Sequence, residues 1–369
     1  MIASSDLVKG IMNRHGLDAL VAFARENVYY FSGYQTLDAK DFASVIFPLD
    51  DEPVLLVSKT DEYYVEEEWR RKARYFGKYY VEGVSKTAGD FEGAAEGMVS
   101  ILAQLGLNRV GIDERGLSVD FYDQIRSKAL ACEFQGASST FDDLRMIKSE
   151  KEIRHITKSL RATERALLST YEKVHEGMTE LDVANELRIA LAAEKADCSW
   201  VEMGGAAGVP TYPSPMHVIK KGEILHIDIG SIYEGYACDT SRDAVIGEPS
   251  DRQREINETV AYALDKSIEV IRPGVRASDV FRTGQEAVRR TFPQYWRHQI
   301  GHGTGIIPHE PPRISPENDR PLRAGMVLDI EIPYYVYGFG TFNVEDTVVV
   351  TEHGHELLSS LGRQLSILG

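Results

Sequence analysis

Gly222-Glu-Ile-Leu-His-Ile-Asp228 is answered 103 residues later by Gly325-Met-Val-Leu-Asp-Ile-Glu331. Each stretch opens on a glycine, runs through strand-forming apolar residues and ends on an acid. Upstream, Gly177-Met178 with Asp182-Val183 is answered by Gly274-Val275 with Asp279-Val280, offset by 97 residues. A helix–turn–helix–strand order therefore occurs twice, which predicts two halves packed about a pseudo-two-fold axis. Equivalent residues then face each other across that axis, placing Asp228 and Glu331 at the same depth beside it.

Working outward, Ser149 is expected to open a long helix carrying Ile153, Ile156, Leu160, Leu167 and Val174 near one face, with Gly177 ending it. Thr179 with Asp182 reads as the capping box of the next helix. His155 and His175 read as helix-surface residues. Ser138, Ser139 and Thr140 lead into a polar turn, and the domain boundary is placed there: residues 1–140 and 141–369. In the first part, residues 5–15 read as a helix with Leu7, Val8, Ile11 and Met12 on one face and Gly16 as C-cap. Asp18 to Phe23 reads as a buried strand, and Glu26 to Phe31 fits either helix or strand. Ala43 to Leu49 and Pro53 to Lys59 form a hairpin pattern around Asp50, Asp51 and Glu52. Residues 91–105 read as a helix and Arg109 to Asp113 as a strand, so the first part is an α/β domain.

With 41 Lys and Arg against 57 Asp and Glu, the net charge of −16 disfavours nucleic-acid binding. Cys132, Cys198 and Cys238 make an odd, widely spaced set, which is no disulfide framework and fits a reducing compartment. No signal peptide is visible at the N-terminus, and no apolar run approaches a membrane span. A cytoplasmic protein without membrane or nucleic-acid partners is expected.

Four segments hold the chemistry: HIDIG with Asp228; YACDTSRD with Asp239; HQIGHGTGIIPHEPP with His298, His302 and His309; and DIEIPYY followed by FNVEDT, with Glu331 and Glu345. Carboxylates in strands otherwise made of Ile, Leu and Val are costly to bury unless a cation accompanies them. Four carboxylates and an imidazole suit two divalent ions among Mn, Co, Fe and Zn. Each residue alone has a plainer explanation: a strand-end acid, a tight glycine turn, a satisfied histidine. Together and in this order, chance explains them poorly.

In these motifs the sequence resembles the pita-bread metallopeptidases, which include methionine aminopeptidase, aminopeptidase P, prolidase (X-prolyl dipeptidase) and the metal-free creatinase. HGLDALVAFARENVYYFSGY, LRMIKSEKEI, GHGTG, HEPPRIS and VEDT carry the likeness, which covers nearly the whole chain. An α/β N-terminal domain and an α+β pita-bread C-terminal domain with an internal duplication are implied. The resemblance further implies that Asp228 binds one metal, Asp239 and Glu345 bridge both, and His302 with Glu331 bind the other. A metal-bridging hydroxide would attack an X-Pro amide, Glu331 would shuttle protons and His309 would bond the oxyanion. His298, Arg313 and Tyr335 would line the substrate site of a homodimer acting on X-Pro dipeptides.

Three features depart from that pattern, one being Glu331-Ile-Pro-Tyr-Tyr335, where the family has IEPGIY. Thr211 stands where the branch commonly has a histidine, with His217 the nearest one, and Asn343 stands where an arginine supports the ligand carboxylates. Thr211 and Asn343 motivate the alternative of a hydrolase or lyase acting on a small amide, amidine or osmolyte, and aminopeptidase P is the alternative within the branch. A non-catalytic binding module would have lost metal ligands, and none is lost.

Overall fold

The computed structural model describes residues 4–36, 42–79, 82, 88–204 and 208–369, in two compact units, Met1–Arg145 and Met146–Gly369. In the first unit six strands form one mixed sheet: β1 (Ala19–Ala22), β2 (Ala43–Pro48), β3 (Val54–Ser58), β4 (Ala73–Phe76), β5 (Arg109–Ile112) and β6 (Glu133–Gly136). Their order is β4-β3-β2-β1-β5-β6. The hairpin β2–β3 is antiparallel, as the sequence suggests, and β1 joins β5 in parallel. Helices α1 (Ser5–His15), α2 (Arg25–Ser32), α3 (Glu67–Arg70), α4 (Ala94–Gln104), α5 (Val119–Lys128) and α6 (Ser138–Met146) accompany it.

Gly16 caps α1 in the left-handed region, and Val8, Ile11 and Met12 are buried, whereas Leu7 stays exposed. The ambiguous Glu26 to Phe31 is helical. Asp113 decides it: its carboxylate accepts the Ala24 amide at 2.9 Å and the Asn27 side chain at 2.5 Å, anchoring the first turn. The expected polar turn after Ser138 is instead α6. Phe141 and Leu144 are both fully buried, so packing overrides the weak helix propensity of the serines.

The second unit contains helices α7 (Glu150–Tyr171), α8 (Glu180–Ala193), α9 (Asp251–Glu269) and α10 (Ala277–Arg289). Its strands are β7 (Asp197–Gly204), β8 (Ile224–Tyr233), β9 (Tyr236–Ile246), β10 (Gly301–Gly303), β11 (Val327–Glu331), β12 (Tyr334–Val336), β13 (Gly340–Phe342), β14 (Glu345–Val350), β15 (His355–Leu357) and β16 (Ser366–Leu368). They pair as β16-β9-β8-β7, β10-β11-β14-β15 and the hairpin β12-β13.

The duplication is visible bond by bond. Gly177 N–H donates to Ile219 O at 3.0 Å and Ile219 N–H to Met178 O at 2.9 Å. Their counterparts are Gly274 to Leu322 at 2.9 Å and Leu322 to Val275 at 2.7 Å. Ser149 with Glu152 and Ser250 with Gln253 form equivalent capping boxes at the starts of α7 and α9. Gly222 and Gly325 turn the chain into β8 and β11 at φ 80° and 87°, a region that strains residues bearing a Cβ. Thr179 and Asp182 form the expected capping box of α8. The helix from Ser149 stops at Tyr171, and Gly177 lies in the following connection.

His155 is half-buried rather than open to solvent. Its ring stacks on Tyr236 at 5.3 Å and its Nδ1 lies 2.9 Å from the Glu234 carboxylate. His175 is exposed and lies beyond the end of α7.

Candidate metal centre

Strand pairing dictates where the acids meet. Asp228 on β8 stands opposite Ser241 of β9, and Gly230 opposite Asp239. Side chains two apart on a strand share a face, so Asp239 lies diagonally beside Asp228. In the other half, Glu331 of β11 stands directly opposite Glu345 of β14. Gly204 faces His226, and His302 of β10 faces Asp329, the counterpart of His226. His302 thus occupies the position that is Gly204 in the first half, which is where the two halves have diverged.

These side chains converge. Ligand atoms of Asp228, Asp239 and Glu345 lie within 4.8 Å of one another, as do those of Asp239, His302 and His309. Asp239 belongs to both trios. Its Oδ2 is 3.6 Å from His302 Nε2 and 3.4 Å from His309 Nε2. Asp239 and Glu345 are buried, yet Asp239 Oδ1 and Glu345 Oε1 have no hydrogen-bond partner among the described residues. Glu331 lies outside both trios, and its Oε2 accepts a bond from Asn343 Nδ2 at 3.1 Å.

Burial, followed by mutual repulsion, raises the carboxyl pKa values of Asp228, Asp239 and Glu345 well above the usual range. Glu331 is also raised by burial, with the Arg297 charge the strongest force in the other direction. His302 is pushed down to about 3 by burial and by neighbouring His309, so its imidazole is neutral and its nitrogen lone pair free. Its approach to Asp239 is therefore no salt bridge. Orphaned buried carboxylate oxygens beside a neutral imidazole are what a hard or borderline divalent cation requires, and the donor set fits one.

Arg242 on β9 ties the two sheets together beneath the centre. It donates to Asp346 Oδ1 at 2.6 Å and also bonds the Glu345 carbonyl. The loop carrying His302 and His309 is held by a buried ion pair, Lys148 Nζ to Glu310 Oε2 at 3.1 Å, while Glu310 Oε1 accepts the Ile306 amide. Removing one partner of such a pair strands a buried charge. Lys148→Met is expected to destabilise the protein by about 3–5 kcal/mol, with Glu310→Gln added to it recovering part of the loss. Thermal denaturation of the single and double variants checks this; a single variant within about 1 kcal/mol of the parent would refute it.

Of the remaining expected residues, His298 is exposed but its charge acts on Glu331, and exposed Arg313 acts on His302. Tyr335 lies under the Arg297 guanidinium, 4.7 Å from ring centroid to cation. Thr211 is fixed in a backbone bridge to Met203, and His217 faces Glu223 at 3.2 Å. Asn343 itself partly takes up the support that an arginine would give, through Glu331. Its amide N–H in turn donates to Asp243 Oδ2 at 3.0 Å, and the other oxygen of Asp243 lies 2.8 Å from His226 Nδ1.

Three contributors escape the sequence reading. Asp329 is fully buried and receives Thr347 Oγ1 at 2.6 Å; its Oδ2 is unpartnered and its pKa is raised to about 7, chiefly by burial. Its charge is the strongest acting on Asp239. Trp200 donates Nε1–H to Asp228 Oδ1 at 3.4 Å. Its ring lies so close to Gly230 that a Cβ there would come within 1.9 Å. Arg297 is the third. The flanking acid Asp329 could have been suspected from its polar intrusion into an apolar strand; Trp200 and Arg297 give no such signal.

Residues 154–352 match metallopeptidase family M24, and residues 6–147 match the creatinase/prolidase N-terminal domain. The chain belongs to metallopeptidase family M24. The Xaa-Pro dipeptidase of Pyrococcus horikoshii is 30% identical to this M24 chain over 359 residues, covering 96% of each. The prolidase structure from Pyrococcus furiosus superposes with a TM-score of 0.82 at 27% identity, covering 96% of this chain and 99% of that one. The X-Pro aminopeptidase from Thermotoga maritima shares the fold, with a TM-score of 0.85 at 24% identity over 99% of both chains. The pita-bread architecture with its N-terminal domain is therefore that of this M24 protein. Among its described residues, no helix is long and apolar enough to cross a membrane.

Proposed function

We propose that this M24 chain is an X-Pro dipeptidase working with two divalent ions. The carrying observation is Asp239, shared between two trios of donors and left with an orphaned oxygen. Asp228 would hold one ion, His302 with Glu331 the other, and Asp239 with Glu345 both. Such ions lower the pKa of water and polarise a carbonyl oxygen. Mn, Co, Fe and Zn are all compatible with this oxygen and nitrogen donor set.

The protein's own groups do the rest. Glu331, its proton affinity raised by burial and its carboxylate oriented by Asn343, accepts a proton at Oε and returns it to the leaving nitrogen. Exposed His309, its ring edge-on to His302 at 4.1 Å, donates a hydrogen bond to the carbonyl oxygen as negative charge develops there. His298, Arg313 and Tyr335 line the substrate side. The free thiols of Cys132, Cys198 and Cys238 support a cytoplasmic setting, and a homodimer is the assembly expected with this family.

A second reading, hydrolysis or lysis of a small amide, amidine or osmolyte, is favoured by Thr211, whose hydroxyl bonds the Met203 carbonyl and not a substrate-side group. Stripping the protein and reloading it with Mn(II), Co(II) or Zn(II) separates the two. Metal-dependent cleavage of Ala-Pro and Met-Pro, with Ala-Leu and Ala-Pro-Ala inert, is the expected result. Cleavage of Ala-Pro-Ala would turn the assignment to aminopeptidase P. Metal uptake without any peptide cleavage would favour the second reading.

A further inference from the structure

The polar face shared by β8 and β9 does not end at the metal ligands. Side chains alternate along a strand, so Asp239, Ser241 and Asp243 of β9 lie on one face. The register sets Gly230, Asp228 and His226 of β8 opposite them in that order. One end of this face carries the acids Asp228 and Asp239. The other end holds a histidine facing an aspartate, a pair to which the proposed reaction gives no task.

Stability alone does not explain that pair. His226 stands between Leu225 and Ile227 in an apolar strand and has no exposed surface. Its Nδ1 lies 2.8 Å from Asp243 Oδ1, and its Nε2 is buried without a partner among the described residues. Asp243 is buried too. Two polar groups in such a place, one ring nitrogen orphaned, cost more than aliphatic side chains of similar size. Asp243 makes a further contact, and it leads back to the metal centre. Its Oδ2 accepts the Asn343 backbone N–H at 3.0 Å, while Ser241 Oγ donates to the Asn343 carbonyl at 3.3 Å. Two residues of β9 therefore grip residue 343, which links β13 to β14, by both its N–H and its C=O. From this clamped backbone the Asn343 side chain donates to Glu331 Oε2 at 3.1 Å, and Glu345 follows two residues on.

We propose that Asp243, held in place by His226, is a positioning residue for Glu331. It fixes the backbone of residue 343 and, through it, the amide that orients the Glu331 carboxylate. An arginine at 343 would grip a carboxylate with its own rigid fork. Asparagine is short and offers a single amide group, so its aim depends on where its backbone is held. The clamp from β9 supplies that aim. The inference rests on the reading above for the role of Glu331, but its effect on metal binding needs no particular substrate.

The test is a double-mutant cycle on metal-loaded protein, with Asp243→Ser, Asn343→Ala and the two combined. The serine hydroxyl is too short to reach both His226 and the Asn343 N–H. Each single variant should lower kcat for Ala-Pro by roughly 10- to 100-fold, with KM within about threefold of the parent's. If the residues act through one another, the double variant should fall no more than about threefold below the worse single one. Losses that multiply would overturn the proposal. Asp243→Asn keeps the shape and an acceptor for the Asn343 N–H, and should retain most of the activity; a loss as deep as that of Asp243→Ser would assign the effect to charge and overturn the clamp. Should Asp243→Ser fail to fold, His226→Leu takes its place in the same cycle. Calorimetric titration with Mn(II) reads the same chain without turnover. Affinity weakened by roughly 10-fold or more in each single variant, and no further in the double, supports the clamp even if the parent cleaves no dipeptide, in which case the peptidase reading alone fails. Metal affinity equal to the parent's in every variant overturns the clamp while leaving any observed X-Pro cleavage intact.

Discussion

Asp239→Asn is expected to make the metal-free protein more stable while it removes the activity. The two effects share one cause. Asp239 is buried, and its ionised form is opposed first by burial and then by the charges of Asp329 and Glu331, with a hydrogen bond to Asp228 acting in the other direction. Without a cation, the carboxylate is a liability, and an amide of the same shape relieves the repulsion. A gain of about 1 kcal/mol or more, some 2–4 °C in Tm, is expected of the metal-free variant. With metal, the balance reverses, since Asp239 is the donor common to both trios. Activity should fall by more than the roughly 10- to 100-fold that outer partners of a metal site carry, and the calorimetric metal affinity should fall with it. A variant that melts several degrees lower without metal yet keeps full metal-dependent cleavage would refute the assignment. Such a result would make Asp239 a structural acid.

How far the sequence reaches into this site depends on what signal each residue leaves. Asp228 and Glu331 are conspicuous because an acid closes the matched apolar stretch twice, 103 residues apart, and the hydrogen bonds around Gly177 recur around Gly274, 97 residues on. His302 and Glu345 stand in glycine-rich and acidic motifs of recognisable order. Asp329 lies two residues before Glu331 and so on the same face of the strand, a polar intrusion whose weight shows only in its zero exposure and unpartnered Oδ2. Trp200 reaches Asp228 because Gly230 is opposite, a close approach set by tertiary packing. Arg297 and Tyr335 meet across a 38-residue separation that no periodicity encodes. In the first unit, Glu26 to Phe31 was undecided for the same reason: Asp113, which anchors that helix, is 86 residues from Asn27. Local patterns name elements and their acids; partners distant in sequence decide the ambiguous helix and the shape of the pocket.

Stripping the metal should give the protein a stability that falls as pH rises, the reverse of what most buried acids in ion pairs produce. A carboxyl whose folded-state pKa is raised binds its proton more tightly folded than unfolded. Its stabilising contribution is complete below the unfolded value of about 4 and is lost as pH climbs to the folded value. Asp228, Asp239, Glu331 and Glu345 are all raised by burial, and Asp329 titrates at about 7. His302 works the other way. Pushed down to about 3, it penalises the folded state once the unfolded imidazole begins to protonate, below about pH 6.5. The carboxylate effect is therefore unopposed by His302 between about pH 6.5 and 8, and the Tm of the metal-free protein should decline across that interval. Saturating divalent metal requires these groups ionised, so it binds better as they lose their protons. At a free concentration about 100 times its Kd, metal adds about 2.7 kcal/mol, and the decline should flatten or invert. Melting curves at several pH values, with chelator and with added Mn(II) or Zn(II), measure both slopes. A metal-free Tm that rises from pH 6.5 to 8 would mean the acids are already balanced by cations of the protein itself. The orphaned oxygens of Asp239 and Glu345 would then have no need of a metal, and the dinuclear site would be wrong.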